Sequence, residues 1–182
     1  PNQYFQFKQF RVEQELCAMK VSTDACILGA YASKPNAQKV LDIGAGTGLL
    51  SLMVAQRHLD AQIEALEIEA DAYQQTIINF ESSPYQNRLK VHHQSVQEFS
   101  LTATSKYDFI ISNPPFFSQS SASPNRKKNQ ARHQDSLDFQ SLANAVTQLL
   151  APEGLFFVLF PTVESHAFGE FAQQAGLYLQ ES

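Results

Sequence analysis

The chain has 182 residues, which suits one domain, and its 43% hydrophobic and 17% charged residues exclude an intrinsically disordered chain. Its formal net charge of -5 excludes a uniformly basic nucleic-acid-binding protein, although it leaves room for a local basic patch. The two cysteines, Cys17 and Cys26, are too few for a disulfide framework, and no Cys/His cluster has the spacing of a zinc site.

The predicted elements begin with a small hairpin, because aromatic and polar residues alternate between Phe5 and Val12. Ser22 or Thr23 then caps a helix that ends before Pro35. Beyond this point the hydrophobic pattern predicts strands over residues 39–43, 62–68, 89–93, 107–112 and 155–160. It also predicts helices over 49–57, 71–81, 138–150 and 164–174, a turn over 151–154 and the start of a last strand over 177–179.

Strands that alternate with helices of this length indicate repeated βαβ units. The sequence therefore predicts an α/β fold with a doubly wound, mostly parallel sheet and helices on both faces. We interpret residues 1–182 as a single domain, in which a small amino-terminal cap segment over 1–36 precedes the core over 37–182. The one long irregular stretch, 114–136, has a length that is typical of functional loops.

The apolar runs of the sequence are short. The longest of them, 155–160, is far below the ~18 residues that a membrane span needs. Near the amino terminus aromatic and polar residues alternate, a pattern that differs from that of a signal peptide. We therefore expect a cytoplasmic protein with neither a membrane partner nor a bound metal.

Three of the seven glycines lie within five residues, in the segment Asp42-Ile43-Gly44-Ala45-Gly46-Thr47-Gly48. Glycine permits a tight turn and a close approach of backbone N–H groups to a ligand, at the sheet edge where doubly wound folds bind ligands. The spacing G-x-G-x-G differs from the dinucleotide pattern G-x-G-x-x-G. The carboxylate of Asp42 suits a ligand with an ammonium group and would repel a pyrophosphate.

Glu67 ends the second predicted core strand, where a carboxylate can accept hydrogen bonds from both hydroxyls of a ribose. A ligand that has both an amino-acid end and a ribose is S-adenosylmethionine. The pattern resembles the first two motifs of the Rossmann-like class I methyltransferases, and the resemblance implies cofactor contacts at Asp42, Gly44, Ala45, Gly46, Gly48, Glu67, Ile68, Ser95 and Val96. In that family an Asp that binds the adenine amino group usually stands at the position of Ser95.

The strand predicted over 107–112 runs directly into Asn113-Pro114-Pro115-Phe116, the most specific signal in the chain. The Asn113 side-chain oxygen and the Pro114 carbonyl can each accept one N–H of a base amino group, which orients the nitrogen lone pair for methyl transfer. The prolines stiffen the loop, and Phe116 offers a flat face on which the extruded ring can stack. No general base is required, because alignment lowers the barrier and nearby acceptors stabilise the developing positive charge.

Asn-Pro-Pro-aromatic resembles the fourth motif of the amino methyltransferases, which act on adenine N6, cytosine N4, guanine N2 or glutamine N5. Segments 5–10, 17–24 and 28–31, together with Ala131-Arg132, look like those of the bacterial tRNA1(Val) adenine N6-methyltransferases. The resemblance implies methylation of the adenine just 3′ of the anticodon, and it implies that Lys20, Thr23 and Asp24 lie over the cofactor. The local pattern equally predicts Thr23 and Asp24 as a helix cap. On this resemblance we expect that the antiparallel hairpin that usually ends the family is missing here.

The segment from Arg126 to His133 holds four of the 13 basic residues and no acidic residue. Basic side chains beside the pocket suit RNA phosphates, and Arg132 or His133 can stack on a neighbouring base. We expect an interface with the tRNA anticodon loop at Arg126, Lys127, Lys128, Arg132, His133 and Phe117. A base in this loop is already unpaired, so its extrusion costs less than flipping a base from a duplex. The alternative is a solvated loop without a partner.

The favoured interpretation is an S-adenosylmethionine-dependent tRNA adenine N6-methyltransferase. The length leaves no room for the target-recognition domain of a DNA enzyme or for the extra helical domain of a glutamine N5-methyltransferase. A guanine N2 RNA methyltransferase uses the same tetrapeptide and is the nearest alternative. From other classes, a non-catalytic RNA-binding relative and an NAD-binding oxidoreductase stay open, although the glycine spacing disfavours the oxidoreductase.

Overall fold

The structure, a computed structural model, describes residues 2–114 and 138–180. An antiparallel hairpin of β1 (Tyr4–Gln6) and β2 (Arg11–Glu13) precedes a parallel sheet of β3 (Lys39–Ile43), β4 (Gln62–Glu67), β5 (Leu89–His93), β6 (Tyr107–Ser112) and β7 (Leu150–Val158). The helices are α1 (Thr23–Tyr31), α2 (Leu49–Arg57), α3 (Ala70–Glu81), α4 (Val96–Thr102), α5 (Phe139–Leu149) and α6 (Thr162–Gln174). A 3-10 turn over Gln86–Arg88 leads into β5.

The strand order of the sheet is β5-β4-β3-β6-β7. After β3 the chain adds β4 and β5 on one side of it, and it then returns to place β6 and β7 on the other side. This reversal separates the connections that leave β3 and β6, and it creates a crevice beyond the carboxyl ends of these two strands. The predicted doubly wound α/β fold with a parallel sheet is confirmed.

Helices cover both faces of the sheet because the strands are apolar on both sides. Leu41 and Ile110 pack against residues of α4, α5 and α6. Val40 and Phe109 face the other way and pack against α1 and α2. Within the two described ranges no helix has the length and apolar character needed to cross a membrane.

Three local differences separate the structure from the sequence predictions. The short helix α4 was not predicted, because seven residues are too few to show a clear helical period. β7 begins at Leu150, so the expected turn over 151–154 lies inside the strand, where the register against β6 shifts and Glu153 has a φ of 61°. The strand also ends at Val158 and not at residue 160.

The third difference is at residues 177–179, where the structure has no strand. Gly176 adopts a φ of 90°, and the N–H of Leu177 donates to the carbonyl of Ala172 at 2.9 Å. The N–H of Gly176 donates to the carbonyl of Gln173 at 3.1 Å, which completes a Schellman ending of α6. Leu177 therefore belongs to the end of the helix, and the predicted start of a strand was wrong.

Candidate active site

The carboxyl ends of β3, β4 and β6 meet at one edge of the sheet. Ile43, the last residue of β3, pairs with Leu66 of β4 on one side and with Ser112 of β6 on the other. Because the strands are parallel, the residues that follow these three are neighbours. They are the predicted site residues Gly44, Glu67 and Asn113. The structure thus brings both halves of the predicted site to the crevice where the strand order reverses.

The glycine turn joins β3 to α2 in a conformation that favours glycine. Gly44, Gly46 and Gly48 have φ values of 75°, 57° and 76°, in the left-handed region that residues with a Cβ atom rarely adopt. The N–H groups of Gly44 and Ala45 donate to the carbonyl of Leu66 at 2.9 and 3.0 Å, which attaches the turn to β4. A Cβ atom placed on Gly44 or Gly46 would meet no atom within 4 Å, so a ligand can approach the backbone there.

Asp42 belongs to β3, and its side chain is buried against α2. One of its carboxylate oxygens, Oδ2, accepts hydrogen bonds from the N–H and the hydroxyl of Ser51 at 3.0 and 2.7 Å. Burial raises the pKa of Asp42 from 3.8 to about 6, and the hydrogen bonds from Ser51 limit this rise. The other oxygen, Oδ1, is buried and has no hydrogen-bond partner among the described residues. The bond to Ser51, which the glycine spacing did not indicate, fastens the first turn of α2 to β3.

Glu67 is a buried carboxylate that holds the glycine turn. Its Oε2 atom accepts the N–H of Gly46 at 2.7 Å, and its Oε1 atom accepts the N–H groups of Ile68 and Glu69 at 2.9 Å each. A carboxylate has about four lone-pair sites, so about one site is left for a ligand. The prediction that Glu67 binds both ribose hydroxyls therefore requires that one of these three bonds opens. Ile68 beside it is exposed and free to contact a flat ring.

Ser95 caps α4 through a capping box. Its hydroxyl donates to the carboxylate of Glu98 at 2.9 Å and accepts the N–H of Glu98 at 3.2 Å. A serine hydroxyl has one donor and two acceptor sites, so one acceptor site is left for an adenine amino group. The next residue, Val96, is buried in the core beneath α4. The Ser95–Glu98 spacing is typical of a helix start, and it marks the beginning of α4, which was not predicted.

Asn113 follows β6 directly and carries an unpaired acceptor. The buried hydroxyl of Ser112 donates to the carbonyl of Ile43 at 2.7 Å, which fixes the end of β6 against β3. The Oδ1 atom of Asn113 is buried and bonds to no donor in the described part of the chain. A buried acceptor without a partner costs about 1–3 kcal/mol, so this atom is a candidate contact for a ligand. Pro114, next in sequence, is also buried.

The amino-terminal segment between β2 and α1 lies near Glu67. Burial, and after it the negative charge of Glu67, raise the pKa of the Cys17 thiol to about 11. The ammonium group of Lys20 donates to the backbone carbonyl of Gln14, which folds the segment back toward β2.

The start of α1 shows which residue caps this helix. The Ser22 hydroxyl accepts the N–H of Ala25 at 3.2 Å, as predicted for a cap. Thr23 and Asp24 are exposed residues of the first turn. A role for them over the cofactor stays a prediction.

The other predicted site residues lie outside the described ranges: Pro115, Phe116, Phe117, Arg126, Lys127, Lys128, Arg132 and His133. Their roles in base stacking and RNA contact stay predictions. Among the residues that the structure describes, no group of three or more His, Cys, Asp or Glu side chains could hold a metal ion.

Comparison with known proteins identifies the family of this chain. The sequence pattern of the methyltransferase small domain family matches residues 17–136. The chain belongs to this family. It is similar to the tRNA1(Val) (adenine(37)-N6)-methyltransferase of Dyadobacter fermentans, with 54% identity over 175 residues that cover 96% of this chain and 72% of the relative. The enzyme of the same name from Phocaeicola vulgatus is 47% identical over 179 residues, which cover 98% of this chain and 75% of the relative.

Solved structures show the same fold at much lower identity. The SAM-dependent methyltransferase from Agrobacterium tumefaciens matches with a TM-score of 0.65 and 15% identity, over 96% of this chain and 57% of that chain. Precorrin 8W decarboxylase from Methanobacterium thermoautotrophicum matches with a TM-score of 0.62 and 13% identity, over 88% of this chain and 75% of that chain. These similarities concern the fold alone, and they confirm the predicted Rossmann-like class.

The residues at the sheet edge of this methyltransferase fit S-adenosylmethionine, the cofactor that the sequence predicts. The backbone at Gly44 and Gly46 is open to a ligand. Unused acceptor sites are left on Glu67, on Ser95 and on Asp42 Oδ1, and these suit the hydroxyl, amino and ammonium donors of this cofactor. The binding site therefore has the donor and acceptor chemistry that the cofactor needs.

Proposed function

We propose that this methyltransferase transfers the methyl group of S-adenosylmethionine to N6 of adenine 37 in tRNA1(Val). The relatives that are named for this reaction are 54% and 47% identical over nearly the whole chain, which supports the substrate. The buried Oδ1 atom of Asn113 at the crevice, which has no partner among the described residues, is the single observation that carries the chemistry. Because tRNA is the substrate, we place the reaction in the cytoplasm.

The chemistry requires that a weak nucleophile is aligned with an electrophile. When bound, S-adenosylmethionine supplies a reactive methyl group on its sulfonium centre. The Oδ1 atom of Asn113 accepts one N–H of the adenine amino group, and the Pro114 carbonyl accepts the other. These two bonds withdraw the nitrogen lone pair from the ring and direct it toward the methyl group. The same acceptors stabilise the positive charge that develops on nitrogen, and the extra proton leaves to water.

We assign the cofactor contacts to the ends of β3, β4 and β5. The glycine turn and Asp42 take the amino-acid end, and the remaining acceptor site of Glu67 takes a ribose hydroxyl. Ile68 packs against the adenine ring, and Ser95 accepts its amino group. The other contacts that we propose are at Ala45, Val96, Lys20, Thr23 and Asp24.

The contacts with the tRNA anticodon loop rest on the sequence. Phe116 stacks on the extruded adenine and Phe117 adds apolar contact. The phosphates on either side of the adenine bind to the basic residues Arg126, Lys127, Lys128 and Arg132, and His133 contacts a neighbouring base. A base that is already unpaired and a nearby basic segment make this substrate easier to bind than a duplex.

Labelled methyl transfer tests the proposal directly. The chain is incubated with methyl-labelled S-adenosylmethionine and total tRNA from a strain that lacks this modification, and the tRNA is digested to nucleosides. We expect the label in N6-methyladenosine. Label in N2-methylguanosine would identify a guanine N2 methyltransferase instead.

Calorimetry with S-adenosylhomocysteine and with NAD, combined with the labelling result, separates the remaining alternatives. An absence of label, with S-adenosylhomocysteine still bound in calorimetry, would identify a non-catalytic RNA-binding relative. Binding of NAD without binding of S-adenosylhomocysteine would identify an oxidoreductase. Each of these results contradicts the proposed function.

A further inference from the structure

Helix α3 presents a row of buried polar side chains where an amphipathic helix normally places apolar ones. Gln75, Thr76 and Asn79 are 2%, 0% and 0% exposed, and residues 75 and 79 are one helical turn apart. A buried polar group lowers stability unless it finds a hydrogen-bond partner. All three side chains find their partners in the backbone of other segments, which makes the row a connection between those segments.

One side of this row holds the glycine turn. The hydroxyl of Thr76 donates to the carbonyl of Gly46 at 2.8 Å, and the side-chain amide of Asn79 donates to the carbonyl of Thr47 at 2.8 Å. Glu67 accepts the N–H of Gly46 at 2.7 Å. Gly46 is therefore held through both its N–H and its carbonyl, in the part of the turn that is open to the cofactor.

The other side of the row holds the amino-terminal segment. The Oδ1 atom of Asn79 accepts the N–H of Glu13 at 2.8 Å, and its Nδ2 atom donates to the carbonyl of Glu13 at 2.8 Å. Gln75 accepts the N–H of Leu16 at 3.0 Å. The same Nδ2 atom of Asn79 also donates to the carbonyl of Thr47 in the glycine turn. The amino-terminal segment is thus held beside the same edge of the sheet as the glycine turn.

We propose that Asn79 and Thr76 are positioning residues: Asn79 sets the distance between the amino-terminal segment and the glycine turn, Thr76 holds the turn at Gly46, and together they set the affinity for the cofactor. Neither side chain touches the cofactor in this arrangement, since both are fully buried and bonded to backbone. The inference rests on the proposed cofactor site and extends it to α3. Its consequence is that the loss of a bond to the turn weakens cofactor binding even where the fold is preserved.

Thr76 offers the most discriminating substitutions. Thr76→Val keeps the shape of the side chain and removes only the hydroxyl, whereas Thr76→Ser keeps the hydroxyl. S-adenosylhomocysteine, the cofactor without its methyl group, is titrated into the full chain by calorimetry. We expect Thr76→Val to raise the dissociation constant about fivefold, because a net hydrogen bond of this kind corresponds to about that factor. Thr76→Ser should stay within about twofold of the wild type.

Asn79→Leu removes all the bonds of the amide and should raise the dissociation constant more than about tenfold. Ser83→Ala is the matched control, because Ser83 is also buried just after the same helix and, among the described residues, its hydroxyl bonds only to Phe80 and Tyr85. It should lower the urea midpoint without changing the affinity. Equal affinity in Thr76→Val and the wild type would overturn the inference, and so would an equal loss in Ser83→Ala.

The effect of the ligand on hydrogen exchange distinguishes a positioning role from a loss of stability. In the wild type, S-adenosylhomocysteine should slow exchange at the N–H of Leu16, which is bonded to Gln75 and not to the turn. In Thr76→Val this slowing by the ligand should shrink, although Gln75 is unchanged. A purely structural role would raise exchange equally with and without ligand. Failure of the wild type to bind S-adenosylhomocysteine contradicts the proposed function, whereas normal binding with unaffected variants contradicts this inference alone.

Discussion

The two sides of the cofactor crevice are built in opposite ways. On the side of β3 and β4 the glycine turn is held by internal hydrogen bonds. The side chains of Glu67 and Thr76 bond to the backbone of Gly46, and that of Asn79 bonds to the backbone of Thr47. On the side of β6 the hydroxyl of Ser112 fixes the strand end, but the Oδ1 atom of Asn113 is left unpaired in the described structure.

Under the proposed function this difference corresponds to two tasks. A backbone that must fit a large cofactor is stabilised in advance, so that little conformational freedom is lost on binding. An acceptor that must bind the reacting amino group has to stay without an internal partner, and the chain tolerates a cost of about 1–3 kcal/mol for it. The first side should therefore determine affinity and stability, and the second should determine rate.

The largest effect is expected on the β6 side. Asn113→Ala should lower kcat about 10²–10³-fold, as the removal of one aligned polar group does in other enzymes. Binding of S-adenosylhomocysteine, measured by calorimetry, should change by less than about twofold, because in the proposed mechanism Asn113 contacts the base and not the cofactor. Asn144→Ala on the exposed side of α5 is the control for an amide at a remote site. Retained methyl transfer in Asn113→Ala would rule out the proposed mechanism.

The buried carboxylate of Asp42 makes the β3 side sensitive to pH. Its pKa is about 6 in the folded chain and 3.8 when the side chain is free, so the folded chain holds this proton more tightly. The contribution of Asp42 to the free energy of unfolding therefore falls as the pH rises from about 4 to about 6. Relative to Asp42→Asn, which does not titrate, the wild type should lose on the order of 3 kcal/mol over this range.

Urea unfolding of both chains between about pH 4 and about pH 7 measures this loss. Asn at position 42 still offers an oxygen to Ser51, so the hydrogen bonds at 3.0 and 2.7 Å have an acceptor in both chains. Stability curves that run parallel across the whole range would show that Asp42 does not titrate in this way.

Glycines with the same φ separate backbone strain from crowding in the turn. A Cβ atom on Gly48 would lie 2.7 Å from Cε1 of Phe80, whereas Gly44 has nothing within 4 Å, although their φ values are 76° and 75°. We expect Gly48→Ala to lower the free energy of unfolding by about 2 kcal/mol more than Gly44→Ala. Gly169→Ala, in the middle of α6 with open space around it, should raise it by about 0.5–1 kcal/mol. Equal losses of unfolding free energy in Gly44→Ala and Gly48→Ala would contradict a clash between Phe80 and a Cβ atom at position 48.

The smallest effect is expected at the cap of α4. Ser95→Ala removes the hydroxyl that accepts the N–H of Glu98 at 3.2 Å, and it should lower the free energy of unfolding by about 1 kcal/mol. Ser95→Thr retains a hydroxyl and should lose less. Urea unfolding compares the three chains, and a loss in Ser95→Thr as large as in Ser95→Ala would argue against the cap.

Sequence reasoning located both sides of the crevice but not the bonds within them. The strands over 39–43, 89–93 and 107–112 were predicted with their observed bounds. Residues 39–43 and 107–112 are short, mostly apolar runs, and in 89–93 apolar and polar residues alternate at the start. The helix α4 was missed although its Ser95–Glu98 capping signal is present. The strand expected over 177–179 was wrong, because Leu177 bonds back to α6.

Local pattern was sufficient for the order of the five core strands, for the glycine turn and for Asn113-Pro114, since each depends on residues that are close in sequence. It could not show that Ser51 pairs with Asp42, or that Thr76 and Asn79 hold the turn. These contacts join side chains to partners 9 to 32 residues away, and only the packed fold brings them together. The folded structure therefore decided which of the polar groups in the crevice are bonded internally and which stay free for a ligand.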